Sequence, residues 1–293
     1  MFAKIRYYFY LMNGIYPFFK GFKNFVSVIY KHKRNLYPIN AVLHDGRTVL
    51  LHNREEFRFA SMGLVNRYSE NEDLLVINQP PLFNNIKFYG AVKNGDFFSA
   101  WYEKSYDFFI FKNNIVIDVG ANIAESSIYF ILKGARKVIG IEPFPINFEA
   151  AKKNVIENDL AEKIELLNVV CSTKEGYIKL DPIQKGTRSI VKEKQDGINI
   201  PTISISKIIK KFGVTNALLK MDCEGCEYEN LLNTPCNDLK KFRQMVIEYH
   251  HGYQNLKEKL ENCGFKLKIT APILDSTNNQ FFGYIYATLN EPG

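Results

Sequence analysis

The stretch Val116-Ile-Asp-Val-Gly-Ala-Asn-Ile-Ala-Glu125 constrains this chain more than any other. Ile115 to Val119 is a short, apolar, β-branched run, the pattern of a strand buried on both faces. Asp118 and Gly120 close it, and Ile123 to Lys133 then carries apolar residues three and four apart, as a helix does. A strand that turns through glycine directly into a helix lets a ligand approach the backbone where no Cβ intrudes, and it aims free amides at that ligand. A second strand, Lys137 to Ile141, delivers Glu142, 22 positions after Gly120. In a doubly wound sheet such a carboxylate stands where it accepts both hydroxyls of a bound ribose. The segment predicts a nucleoside-cofactor site.

The turn chemistry selects the nucleoside. A dinucleotide fingerprint places three glycines, G-x-G-x-x-G, around a pyrophosphate. Here only Gly120 is glycine, with Asn122 and Ala124 at the following alternate positions. A side chain at 122 crowds a pyrophosphate, and the carboxylates Asp118 and Glu125 repel one. S-adenosylmethionine has no phosphate; its sulfonium and ammonium are drawn to those carboxylates. The pattern favours S-adenosylmethionine over NAD.

A second motif lies about 95 residues further on. Ala217-Leu-Leu-Lys-Met-Asp-Cys-Glu-Gly-Cys-Glu227 reads as a strand running into an acidic turn and then a helix, Tyr228 to Leu232. Gln244 to His250 reads as another strand, with Glu248 and His250 on one face because strand side chains alternate. Together these segments resemble the FkbM-type S-adenosylmethionine-dependent methyltransferases, marked by a D-x-G-A-N turn, an acidic residue followed by proline, and K-x-D-x-E-G-x-E. In this chain the marks read Asp118-Val-Gly-Ala-Asn122, Glu142-Pro143 and Lys220-Met-Asp-Cys-Glu-Gly-Cys-Glu227. The resemblance covers residues 113 to 290, and it departs at Ala124, where the family usually has glycine. It implies an α/β, Rossmann-like class I methyltransferase fold, a mostly parallel sheet with helices on both faces, that methylates a hydroxyl oxygen of a sugar, a glycan or a hydroxylated natural product. The expected cofactor contacts are Asp118, Gly120, Asn122, Glu125, Glu142, Pro143, Asn168 and Asp222.

Ligands of open α/β sheets sit beyond the carboxyl ends of the strands, where Asp222, Glu248 and His250 are expected. A sugar hydroxyl has a high pKa, so a base or a cation must help as its proton departs. His250 is the expected base, since imidazole is largely neutral near pH 7; a packed histidine bonded to Glu248 is the alternative. Asp222 is the second candidate base, or it orients the acceptor, and Lys220, which shares a strand face with Asp222, is expected to form an ion pair inside the sheet edge. Asp222 with Glu248 could hold magnesium, but two scattered carboxylates are thin support, and no metal is expected. Nucleic-acid methylation and a non-catalytic cofactor-binding adaptor tethered at a membrane surface are the competing readings.

Charge bears on those alternatives. The net charge is +7, and residues 1 to 44 hold Lys4, Arg6, Lys20, Lys23, Lys31, Lys33 and Arg34 with no acid. The remaining 31 basic and 31 acidic residues cancel. A balanced body argues against a nucleic-acid groove, as does the lack of an Asn/Asp-Pro-Pro-aromatic base pocket. Three segments are expected: a basic, aromatic arm (1–35), an N-terminal extension with a hairpin and helices, a possible lid (36–112), and the methyltransferase domain (113–293). The longest uncharged run of the arm, Tyr7 to Phe19, is 13 residues, short of the roughly 20 that span a bilayer. No small-x-small cleavage site follows it, so no secretory signal is expected. Either the arm seats at an anionic inner membrane surface, or its aromatics cover the domain's own core or a subunit interface. Five cysteines in a chain this long predict no disulfide framework and a reducing, cytoplasmic location. Cys223 and Cys226, surrounded by Asp222, Glu224 and Glu227, read as filling of a tight turn rather than a redox or zinc pair.

Along the chain, Ala41 to Leu51 reads as a hairpin turning at Asp45-Gly46, Glu55 to Val65 as a helix and Leu74 to Ile77 as extended. The aromatic run Asp96 to Phe111, with Trp101, is expected to pack over the cofactor strand or to lid the pocket. Alternation of strand and helix from Ile115 predicts parallel pairing with right-handed crossovers. Gly176 to Pro201 reads as a hairpin inserted at the rim, and the final strands, 265–270 and 280–289, as an antiparallel pair.

Overall fold

A computed structural model describes residues 21–44, 46–61, 65–69, 74–79, 83–90, 97–184, 191–275 and 280–290. The chain divides into two units, Met1–Val92 and Lys93–Gly293. Residues 93–112, assigned to the N-terminal extension on sequence grounds, cluster with the second unit.

In the first unit α1 (Phe25–Lys33) packs on the hairpin of β1 (Ile39–Val42) and β2 (Thr48–Leu51), which pair antiparallel from Ile39↔Leu51 to Val42↔Thr48. Asn24 ties the helix start to β1: its Oδ1 accepts from Val42 N at 2.8 Å and its Nδ2 donates to Asn40 O at 2.9 Å. Then come α2 (Arg54–Ser61) and a meander of β3 (Val65–Ser69), β4 (Leu74–Gln79) and β5 (Phe83–Tyr89). Phe22, Val28, Ile39, Leu51 and Phe57 form a core of this unit, with Phe25 packed against it. The described aromatics of the arm are thus divided: Phe22 and Phe25 pack inward, while Tyr30 is exposed. Residues 1–20, which carry most of the expected membrane-seating side chains, lie outside the described residues. Among those described, no helix is long and apolar enough to cross a membrane.

The second unit opens with a π-helical turn, Phe98–Tyr102, and then alternates as expected. β6 (Ile115–Val119), α3 (Glu125–Leu132), β7 (Lys137–Ile141), α4 (Pro145–Glu157) and β8 (Ile164–Leu167) are followed by the short β9 (Val170–Cys171). β10 (Tyr177–Leu180) and β11 (Ile198–Ile203) form the rim hairpin, antiparallel to each other, with β11 running on parallel to β9. After α5 (Ile205–Phe212) come β12 (Ala217–Met221), α6 (Cys226–Asn233), α7 (Cys236–Leu239), β13 (Phe242–Tyr249), α8 (Gln254–Asn262), β14 (Phe265–Ile269), β15 (Ile273–Asp275) and β16 (Gln280–Leu289). The main sheet has the order β14-β16-β13-β12-β6-β7-β8. Its five strands from β13 to β8 are parallel, and β16 joins antiparallel between β13 and β14. Burial on both faces explains why β6, β7 and β12 read as unbroken apolar runs.

Two expectations change here. The aromatics ahead of β6 pack chiefly on α3: Trp101 lies 5.3 Å from Tyr129, and Tyr106 and Phe111 each lie 5.4 Å from Phe130 between ring centroids. α3 is almost wholly buried because it is covered on both sides, by the sheet and by this aromatic layer. The cysteines also differ from the expectation. Cys223–Cys226 and Cys236–Cys263 are disulfide-bonded, and only Cys171 is a free, buried thiol. The second bridge joins the start of α7 to the end of α8, 27 residues apart in sequence, a proximity that spacing alone does not reveal.

Candidate active site

The carboxyl ends of β6, β7 and β12 surround an open cleft of about 500 Å³. Val119, Gly120 and Asn122 form one wall, Glu142, Pro143, Phe144 and Asn147 a second, and Asp222, Cys223, Glu224 and Cys226 a third. Gly120 has φ +80°, and a Cβ there would lie 1.8 Å from the carbonyl oxygen of Asp222. The turn must be glycine because the backbones after β6 and β12 nearly touch. Asn122 and Ala124 continue the turn in the left-handed region, at φ 48° and 66°. That conformation accounts for the glycine usual in the family at position 124, where this chain holds a methyl group in a less favourable backbone well.

Glu142 is buried at the head of the second wall. It accepts from Asn122 N at 2.9 Å, Phe144 N at 3.0 Å and Asn147 Nδ2 at 3.4 Å. Burial pushes its pKa up to about 7, and these donors with Lys220 pull it part of the way back. Asn168 supports the same corner from outside the lining: its Nδ2 donates to the carbonyls of Glu142 and Pro143 at 2.9 and 3.0 Å.

Asp118 and Glu125, expected to meet the cofactor, are fully buried and do not line the cleft. Asp118 accepts from Ser126 Oγ at 2.7 Å and Ser127 Oγ at 2.6 Å, which pins the first turn of α3 to the end of β6. Lys220 stands 3.1 Å from Asp118 Oδ1, the expected ion pair, and its Nζ donates to the carbonyl of Gly120 at 2.6 Å. Asp118 and Lys220 therefore shape the turn from behind. Glu125 opens α3, and its carbonyl accepts from the Trp101 indole N–H at 3.2 Å.

Beside the third wall, His250 is 8 % exposed at the end of β13. Its Nε2 lies 3.6 Å from both Glu224 Oε2 and Glu248 Oε1, and its Nδ1 lies 3.5 Å from Glu227 Oε1. Burial pulls its pKa down, but Glu227 and Glu248 contacts and the Asp222 charge more than reverse this and push it up to about 12. The expectation of a neutral imidazole base does not count on this ring of carboxylates, which favours the protonated form of His250. Glu227 is itself fixed, accepting from the amides of Cys223 and Gly225 at 2.8 Å each.

Glu224 and Glu227 stood in the quoted motif, yet nothing in the sequence assigned them roles. Tyr284 had no sequence signal. It sits opposite Glu248 in register on β16, nearly buried, and its hydroxyl donates to Ser99 Oγ at 3.1 Å. Burial, with the charges of Glu248 and Asp222, raises its pKa well above the ordinary phenol value.

Residues 118–267 match the family described as Methyltransferase FkbM domain. No curated protein matches the sequence. Among solved structures, TrmK of M. capricolum in complex with S-adenosyl-homocysteine is similar at 13 % identity, over 65 % of this chain and 69 % of that chain, with a TM-score of 0.44. Sp1610 of Streptococcus pneumoniae, a putative tRNA (m1A22) methyltransferase in complex with S-adenosyl-L-methionine, shows 14 % identity over 63 % and 70 %, with a TM-score of 0.40. The METTL16 MTase domain shows 15 % identity over 86 % and 87 %, with a TM-score of 0.44. Likenesses this distant say nothing about the acceptor.

Proposed function

We propose, from the premise that this chain belongs to the FkbM methyltransferase family and is an S-adenosylmethionine-dependent methyltransferase, that its acceptor is a hydroxyl group of a sugar, a glycan or a hydroxylated natural product. The cleft fits the cofactor by its donor set. Among the described residues no lysine or arginine lines it, whereas Glu142, Asp222 and Glu224 do, a wall suited to ribose hydroxyls and to a cationic sulfonium rather than to phosphate. When bound, S-adenosylmethionine supplies an activated methyl group that an acceptor oxygen can take in line. Glu142 would hold the ribose, with the Asn122–Gly120 turn and Phe144 shaping the adenosine side, and Asp222 would face the cationic end.

The observation that carries the acceptor class is the acidic wall of Asp222 and Glu224, with Glu248 nearby, 3.6 Å from His250. Hydroxyl groups donate hydrogen bonds to carboxylates, while a phosphodiester backbone is repelled by them. Asp222 or Glu248 would take the hydroxyl proton as the oxygen is methylated, with His250 orienting them. Orientation and exclusion of water supply most of the acceleration. The test offers purified protein and S-adenosylmethionine labelled in the methyl group to separate glycan, small-molecule and RNA fractions of a cell extract. Label in an alkali-stable ether of a glycan or small molecule is the expected outcome; label confined to RNA would overturn the acceptor class.

A further inference from the structure

We propose that Asp222, Glu224 and His250 form a binding site for one divalent cation of the magnesium or manganese class, next to the cofactor cleft. The sequence reading pairs Asp222 with Glu248; the fold instead brings Asp222 together with Glu224 and His250. One ligand atom from each residue lies within 4.8 Å of the other two. Around an ion with bonds of about 2.0–2.2 Å, neighbouring ligands stand roughly 3 Å apart and opposite ones roughly 4.3 Å, so the side chains would draw inward to close the set.

The imidazole makes this more than a group of acids. His250 is buried, its Nδ1 turns toward Glu227, and taking an ion at Nε2 would release that nitrogen's proton to solvent. Its Nε2 faces Glu224 and Glu248, each 3.6 Å away, too far for a good hydrogen bond and open enough for an ion between them. On the other side of the ring, Glu227 Oε1 stands 3.5 Å from Nδ1, held by two backbone amides. A carboxylate behind the ring is the usual support of a metal-ligating histidine, fixing its tautomer and orientation. Asp222, Glu224, Glu227 and Glu248 converge on one imidazole, an excess of negative charge that a divalent ion would neutralise.

The donors also indicate the class of ion. Two carboxylates with one imidazole are mainly hard ligands. The neighbouring sulfurs that would favour zinc are tied to each other in the Cys223–Cys226 disulfide. Asp222 and Glu224 line the cleft as well. On the methyltransferase reading above, an acceptor hydroxyl bound to the ion would lose its proton more readily.

The full-length protein, stripped with chelator, is titrated with Mn²⁺ while the electron paramagnetic resonance signal of the free ion is followed. The parent should bind one ion per chain. Glu224→Gln and His250→Gln should each weaken binding tenfold or more, and Glu227→Gln should weaken it about 10–100-fold by releasing the ring. Glu165→Gln, which removes a surface acid paired with Lys137, should titrate like the parent. No uptake by the parent at millimolar Mn²⁺, or equal uptake by the parent, Glu224→Gln and His250→Gln, would overturn the site. Calorimetry with S-adenosylhomocysteine on the same stripped samples checks folding and the cofactor site independently. Retained cofactor binding in His250→Gln shows that lost Mn²⁺ uptake is not unfolding, and loss of cofactor binding by the parent would count against the methyltransferase reading, not the ion site.

Discussion

Glu142 and His250 show how burial and neighbours set the chemistry of single side chains. Glu142 is raised from 4.5 to about 7, first by burial. A carboxyl whose folded pKa exceeds its unfolded value contributes stability that is complete below the unfolded pKa and is lost as pH rises through the folded one. Ribose hydroxyls bind the ionised form, so the affinity for adenosine should rise between pH 6 and 8 and then level off. Glu142→Gln should abolish that rise and cost about 2–3 kcal/mol of binding at pH 8, read by calorimetry. His250 is also raised, from 6.5 to about 12. In chelator-treated protein its stabilisation should be complete below pH 6.5 and decline as pH climbs toward 12. His250→Gln leaves buried carboxylates without their cation and should cost about 3–5 kcal/mol at pH 6. Urea unfolding should show the gap to the parent narrowing as pH rises, and the imidazole NMR shifts of the parent should stay at protonated values from pH 5 to 8.

The turn between β6 and α3 owes its sequence to the neighbouring strand. Gly120→Ala would push a methyl group to within 1.8 Å of the Asp222 carbonyl, backbone against backbone, where no rotamer change relieves it. The variant should lose cofactor binding and unfold at much lower temperature. Gly213, at the end of α5, has φ +57° with nothing within 4 Å of an added Cβ. Gly213→Ala should therefore cost only the left-handed backbone penalty, about 1–2 kcal/mol by thermal unfolding. A similar loss at both positions would mean that Gly120 serves flexibility rather than close approach. Behind the turn, Asp118, Ser126, Ser127 and Lys220 lock helix to strand, so the D-x-G-A-N pattern encodes a joint as much as a binding surface.

The division of the chain places every described residue that lines the cleft in the unit Lys93–Gly293. A chain beginning at Lys93 should bind S-adenosylhomocysteine with the affinity of the full-length protein. One beginning at residue 113 should not fold, because it lacks Trp101, Tyr106, Phe109 and Phe111, all buried, and losing even one large buried aromatic costs about 3–5 kcal/mol. Circular dichroism and calorimetry on the two chains separate these outcomes. Binding by the shorter chain would show that the aromatic layer is a cover and not a part of the core.

Local order made much of this protein legible before any coordinates. The β-branched runs of β6, β7 and β12, the glycine of the turn, the carboxylate Glu142 at the end of β7 and the acidic turn after β12 all depend on residues close in sequence, and periodicity and turn chemistry report such neighbours. The roles of Asp118, Glu125 and His250, the Cys236–Cys263 bridge and the place of Tyr284 depend on residues far apart in sequence. Asp118 faces two serines and Lys220 rather than the cleft, and carboxylates around His250 raise its pKa, because a side chain's partners and its pKa follow from which distant groups the fold sets within a few ångströms of it in a medium less polar than water.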